Sequence, residues 1–209
     1  MINDDIYIIN LDHDKKRKEK ILKKFSNYFN LNFIEGIIDK NSKKGCFLSH
    51  LKCIQIAKEK KLDYIIVLED DCIIKNNDKN WYKRFQNTKE YLLENKNNWN
   101  LYLGAVNRCN QSNILEIIDY NNEKLLKINK GTCLHFVIYN KNCYDFFLNH
   151  EFNELPIDQI WFKKLSAIIN YPFIFTQESE FSNIAKKYIN YKLIFQNQEN
   201  YLKKKLKLN

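Results

Sequence analysis

Three carboxylates stand together at Glu69, Asp70 and Asp71, directly after the apolar run Tyr64-Ile65-Ile66-Val67-Leu68. The chain turns apolar again at Cys72, Ile73 and Ile74. Adjacent carboxylates repel, so a set of three calls for a positive partner. A divalent cation is one, because Mg²⁺ and Mn²⁺ take hard oxygen ligands. If the strand pattern of the run continues, Glu69 and Asp71 point to one side and Asp70 to the other. Two carboxylates sharing one metal leave open positions for the oxygens of a phosphate. The alternative is an exposed acidic turn paired with nearby lysines.

The elements around the triplet follow from periodicity. Ile6 to Leu11 reads as a short buried strand, and a helix from about Asp14 carries Ile21, Leu22, Phe25, Tyr28 and Phe29 on one face. Leu31 to Ile38 is a second strand, and Gly45 opens a helix with Phe47, Leu51, Ile54 and Ala57 on a stripe. Tyr64 to Leu68 is apolar throughout, which implies burial on both faces. Strand, helix, strand, helix, strand is the order of a parallel α/β sheet. In such sheets ligands bind beyond the carboxyl ends of the strands, where the triplet sits.

The second half is less regular. Trp81, Phe85 and Leu92 support a helix, and Leu101 to Gly104 a short strand. Ile114–Ile118 and Leu125–Ile128 flank an Asn-rich turn and read as a hairpin. Cys133 to Tyr139 reads as a strand, with a helix near Tyr144 to Leu148. Pro156 opens a helix carrying Ile160, Trp161 and Leu165, and Tyr171 to Phe175 is a last strand.

A chain of 209 residues with 44% hydrophobic and 14% aromatic content suits one core. Its 31 Lys against 3 Arg, with 30 Asn, read as the skew of an AT-rich genome. The net charge is +9, but residues 186 to 209 hold seven Lys and one Glu, so +6 lies there and 9 − 6 = +3 in the rest. That division points to a domain over 1–185 and a basic tail over 186–209, and it argues against a nucleic-acid-binding body. Six Cys without a Cys-x-x-Cys pair favour reduced, structural thiols over a zinc ribbon. The N-terminus lacks an apolar signal region, and no run reaches the roughly 20 residues of a membrane span, so a soluble, cytoplasmic protein is expected.

Several segments together resemble glycosyltransferase family 25, the family of lipopolysaccharide-biosynthesis glycosyltransferases and collagen galactosyltransferases. They are Ile9-Asn10-Leu11-Asp12 with Arg17, then Gly45-Cys46 with Ser49-His50, then the strand closing on Glu69-Asp70-Asp71. Weaker matches are Leu103-Gly104, His135 to Tyr139, Pro156-Ile157-Asp158, and Gln177 with Ser182 and Ile184. Where family members often carry Arg after Asn-Leu-Asp, this chain has His13.

The resemblance implies a GT-A-like, Rossmann-like α/β domain with a mostly parallel central sheet. It implies an inverting transfer of a sugar, galactose or glucose, from a UDP-sugar or other nucleotide sugar. The acceptor would be a hydroxyl of a glycan, a lipid-linked glycan or a protein. Mn²⁺, or Mg²⁺, would sit on Glu69 and Asp71, while Asn10, Asp12, Arg17, Ser49, His50 and Asp70 would serve the donor. Asp158 is the candidate base, with Glu154 and Glu151 as substitutes; alone it reads as a carboxylate at a helix N-terminus. His135, Trp81, Trp99 and Trp161 read as core. Leu202, Leu206 and Leu208 among lysines suit either contact with an anionic membrane or a frayed basic terminus. Rival readings are a non-catalytic scaffold of the same fold and a metal-dependent nuclease.

Overall fold

The structure, a computed structural model, describes residues 4–75, 78–182 and 187–208, with backbone alone at 181 and 182. The weak family match at Ile184 and the 185/186 boundary lie outside the described residues.

An eight-stranded sheet runs in the order β2-β1-β3-β8-β5-β9-β7-β6. Its strands are β1 (Asp4–Asn10), β2 (Phe29–Glu35), β3 (Tyr64–Glu69), β5 (Leu101–Leu103), β6 (Ile114–Tyr120), β7 (Glu123–Ile128), β8 (Phe136–Asn140) and β9 (Ala167–Tyr171). Strand β1 is parallel to β2 and β3, and β5 is parallel to β9. Strand β8 is antiparallel to both β3 and β5, and β7 to both β9 and β6. Only β7 and β8 therefore oppose the other strands, and the sheet is mixed but mostly parallel.

Period-two alternation sends each central strand's side chains into two separate cores. Ile65 and Val67 of β3 join Tyr7, Val137 and Tyr139 on one face, whereas Ile66 and Leu68 join Ile6, Ile8, Phe136 and Ile138 on the other. This is why β3 is apolar without a break. The first face is covered by α2 (Ser42–Glu59), α4 (Tyr144–Leu148) and α5 (Tyr191–Leu206) through Phe47, Ile54, Phe147, Phe195 and Leu202. The second is covered by α1 (Lys15–Phe25) and α3 (Trp81–Glu94) through Ile21, Phe25, Trp81 and Phe85. Each such buried aromatic or aliphatic side chain contributes about 1.5–3 kcal/mol. The Asp14 side chain caps α1 and the Asn41 side chain caps α2.

Two short ribbons finish the molecule. Strands β4 (Cys72–Ile74) and β10 (Phe175–Gln177) pair antiparallel, as do β11 (Glu180–Ser182) and β12 (Lys187–Ile189). The expected hairpin is β6–β7, and both Asn121 and Asn122 at its turn take positive φ, 46° and 64°.

Four expectations differ from the structure. The first helix ends at Phe25, so Tyr28 falls in the turn after it and Phe29 opens β2. The segment after Pro156 is a chain of turns, not a helix, although Ile157, Ile160 and Trp161 are buried as expected. Lys163 takes φ 60° in this segment, and its N–H bonds the Asn129 carbonyl at 2.8 Å, so the chain leaves the helical path. The strand placed at Tyr171 to Phe175 is two strands, β9 before it and β10 after it. The expected frayed terminus is the helix α5, whose Phe195 and Leu202 are buried, as is Leu208 beyond it. Two of the leucines offered to a membrane are therefore part of the core. No helix among the described residues is long and apolar enough to cross a membrane.

Candidate active site

The carboxyl end of β3 delivers the three acidic residues to different neighbours. Glu69 continues the alternation of Ile65 and Val67 and meets α2, where its Oε1 lies 3.2 Å from His50 Nε2 and 3.6 Å from Cys46 Sγ. Asp70 turns toward α1 and accepts from Asn10 Nδ2 at 2.8 Å and Arg17 Nη1 at 2.7 Å. Arg17 also reaches Glu180 Oε1 at 2.5 Å. Asp71 accepts from Gln177 Nε2 at 2.7 Å, and its other oxygen, Oδ1, is buried without a hydrogen-bond partner among the described residues.

Their protonation follows these surroundings. Burial pushes the Asp71 carboxyl well above its ordinary value, and the charge of Glu69 adds to the rise. Burial also raises Asp70, against the pull of Asn10 and Arg17. Burial acts in the same direction on Glu69, but the hydrogen bond and charge of His50 outweigh it and leave Glu69 lowered. Burial next to Glu69 raises the Cys46 thiol.

Two cavities meet at this point. The first, about 350 Å³, lies between the tips of β1 and β3, the loop 36–41 and the start of α2. Its walls include Arg17, Ile37, Ile38, Ser49, His50 and the acidic triplet. Ser49 Oγ accepts from the Ile37 N–H at 2.8 Å and donates to the Gly45 carbonyl at 2.8 Å, so it ties the loop to the helix. Gly45 permits that approach, because a Cβ there would lie 2.5 Å from the Ile37 carbonyl oxygen.

The second cavity, about 640 Å³, shares Cys46 and Glu69 with the first and opens toward Arg108, Asp158, Gln177 and Tyr188. Asp158 accepts from the Cys133 N–H at 2.9 Å through Oδ2, while Oδ1 is buried without a partner among the described residues. Burial raises its pKa, the Cys133 bond lowers it, and Glu69 raises it again, with a net rise. Cys133 takes φ 92° and Arg108 φ 56°, backbone conformations that L-residues adopt only under constraint. Both cavities fall within the 300–1,000 Å³ range of small-molecule sites.

The sequence matches a family model described as glycosyltransferase family 25 (LPS biosynthesis protein) over residues 40–206. The chain belongs to glycosyltransferase family 25. It is thus a glycosyltransferase, built here on a mixed, mostly parallel α/β sheet, and the matched region spans the triplet, Asp158 and α5. A search of curated proteins gives no match. Among solved structures, a protein from STIV is similar at TM-score 0.46 and 11% identity, over 90% of this chain and 93% of that one. A glycosyltransferase involved in glycosylation of the major capsid of PBCV-1 is similar at TM-score 0.41 and 12% identity, over 69% and 63%. HddC from Yersinia pseudotuberculosis follows at TM-score 0.39 and 11% identity, over 81% and 73%.

In this family 25 chain, seven of the expected site residues converge on the cleft: Arg17, Ser49, His50, Glu69, Asp70, Asp71 and, across it, Asp158. Asn10 lies under Asp70, and Asp12 is exposed on the turn after β1; neither is among the residues lining either cavity. His135 is core, as expected, with its Nε2 3.3 Å from the Phe175 carbonyl and its pKa lowered to about 4 by burial. Sequence reasoning quoted Cys46 only as part of the Gly-Cys segment, without a role, and missed Tyr139 and the wall Ile37-Ile38. Cys46 was legible, four residues before His50 on one helix face. Tyr139, whose hydroxyl lies 3.0 Å from His50 Nδ1, gave no local signal in an apolar strand.

Proposed function

We propose that the first cavity holds a nucleotide sugar, a UDP-sugar carrying galactose or glucose, and that the second admits the acceptor hydroxyl of a glycan, lipid-linked glycan or protein. One observation carries this reading. The cavities meet at Glu69, and among the described residues each holds a buried carboxylate oxygen without a partner, Asp71 Oδ1 on the donor side and Asp158 Oδ1 on the acceptor side.

The donor side is acidic, yet a nucleoside diphosphate is an anion. Arg17 is bonded to Asp70 and Glu180, and its charge acts on Asp71 only from a distance, too weakly to offset the burial that raises that carboxyl. The orphaned oxygen of Asp71 and the hard oxygen donors of the triplet fit a divalent cation, Mn²⁺ or Mg²⁺. Glu69 and Asp71 would hold it, and its chemistry there is to offset the charge that grows on the departing diphosphate. Asp70, braced by Asn10 and Arg17, fixes the turn that presents both ligands. Ile37 and Ile38 offer an apolar wall to the nucleotide, and Ser49 holds that wall in place.

On the acceptor side Asp158 takes the proton from the attacking hydroxyl. Its raised pKa makes it a stronger base than an ordinary aspartate, and the Cys133 N–H steadies the carboxylate while leaving Oδ1 free. A base on one side and a leaving group on the other support a single displacement, which inverts the anomeric carbon. The test is a thermal-shift screen of UDP-, GDP- and CMP-sugars with and without Mn²⁺. Stabilisation by one UDP-sugar that requires Mn²⁺ is expected. Failure of every nucleotide sugar to stabilise the chain would sink the donor assignment.

A further inference from the structure

We infer that Cys46, His50 and Glu69 form a site for a thiophilic divalent cation, zinc above all, with a fourth position open to the cleft.

The three donor atoms, Sγ, Nε2 and Oε1, all lie within 4.8 Å of one another. Tetrahedral zinc binds sulfur at about 2.3 Å and nitrogen or oxygen at about 2.0–2.2 Å, which sets donor atoms roughly 3.3–3.7 Å apart. The separations here are 3.2 Å for His50 Nε2 to Glu69 Oε1 and 3.6 Å for Cys46 Sγ to the same oxygen. Two of the three separations are thus within about 0.1 Å of the spacing an ion would impose, and the third, between Sγ and Nε2, is under 4.8 Å. The sequence makes this local in part: Cys46 and His50 are four residues apart on α2, so both leave the same helix face one turn apart. The carboxylate comes from the tip of β3, brought to that face by the strand's own alternation.

The surroundings are those of a ligand histidine. His50 is fully buried, and its second nitrogen, Nδ1, lies 3.0 Å from the Tyr139 hydroxyl. With Nε2 on a metal, Nδ1 carries the proton and donates it to Tyr139 Oη, the outer bond that fixes tautomer and ring orientation at such sites. Binding releases one proton, as the Cys46 thiol becomes a thiolate and its hydrogen leaves to water. Cys46 is partly exposed and lines both cavities, so the ion has a path in and its fourth ligand can be water. A thiolate and an imidazole select Zn²⁺ or Co²⁺ over Mg²⁺ and Mn²⁺, which the all-oxygen pair of Glu69 and Asp71 suits better. Glu69 is common to both sets, so the two kinds of ion compete for one carboxylate. The zinc site rests on donor geometry alone, and its failure leaves the transferase reading where it stands.

The experiment uses the full chain, stripped of metal and titrated with Co²⁺. A single equivalent should produce a thiolate-to-cobalt charge-transfer band with the strong visible bands of four-coordinate cobalt, and Zn²⁺ should erase both. Cys46→Ser and His50→Gln should lose the charge-transfer band, Cys133→Ser should keep it, and Tyr139→Phe should weaken the ion's affinity about 10-fold. A measurement on the unaltered chain guards against misfolded variants: Zn²⁺ should slow alkylation of Cys46, mapped by mass spectrometry, and leave Cys133 unaffected. Absence of the band in the parent, its survival in Cys46→Ser, or an unchanged Cys46 alkylation rate would each overturn the site.

Discussion

The two cavities, proposed above for donor and acceptor, differ in how they are built. The donor side is made from the ends of regular elements: β1, β3 and a capped helix, with a loop tied to that helix by Ser49. The acceptor side is made from turns and short ribbons, with Arg108 and Cys133 at positive φ and a wall from β12 and the start of α5. Rigid element ends suit a ligand whose diphosphate must be held in one place. Loop-built walls suit a surface that varies with the acceptor.

Mutations should separate the two sides. Asp71→Asn is expected to have the largest effect, lowering both Mn²⁺-dependent donor hydrolysis and transfer on the order of 10³-fold. The fold should persist, because burial of the Asp71 carboxylate opposes folding; circular dichroism checks this. Asp158→Asn should lower transfer by about 10²–10⁴ while sparing donor affinity and hydrolysis. If Asp158→Asn costs donor hydrolysis as much as transfer, the division into two sides fails.

pH sharpens the contrast. Transfer should rise with pH through the raised pKa of Asp158, since the ionised form is the base, and Asp158→Asn should remove that limb. Stability should move in the opposite direction. Asp70, Asp71 and Asp158 all have pKa values raised above the ordinary 3.8, so the folded state binds more protons than the unfolded chain. Their contribution is therefore fully present below about 3.8 and is lost as pH rises through the raised values. Glu69, lowered from 4.5, works the other way and loses its contribution as pH falls through its lowered value. The metal-free chain should gain denaturant resistance on mild acidification from neutral pH, and added Mn²⁺ should restore at neutral pH what acidification gives.

Smaller effects test the bracing. Arg17→Ala breaks a pair whose side chains are 24% and 10% exposed, and should remove about 2–3 kcal/mol, less than the ~3–5 of a fully buried pair. At this chain length that lowers Tm by roughly 5–10 °C. Ser49→Ala should cost about 1–2 kcal/mol and weaken donor binding more than acceptor binding, because the bonds it loses hold the donor-side loop. Equal weakening of both would argue against that assignment.

The amino-acid sequence by itself determined the β-α-β-α-β order of the first half, the β6–β7 hairpin, the double burial of β3, the acidic triplet at its carboxyl end and the family motifs around it. These are local properties: periodicity reports which faces are buried, and neighbours in sequence stay neighbours in space. Only the tertiary structure decided how the three carboxylates divide, with Asp70 given to Arg17, Glu69 to His50 and Asp71 to Gln177, 106 positions away. It also decided that the segment after Pro156 turns instead of coiling, and that the basic terminus packs as α5. Such outcomes depend on contacts between distant segments and on backbone conformations that packing imposes, and neither leaves a periodic trace in the chain.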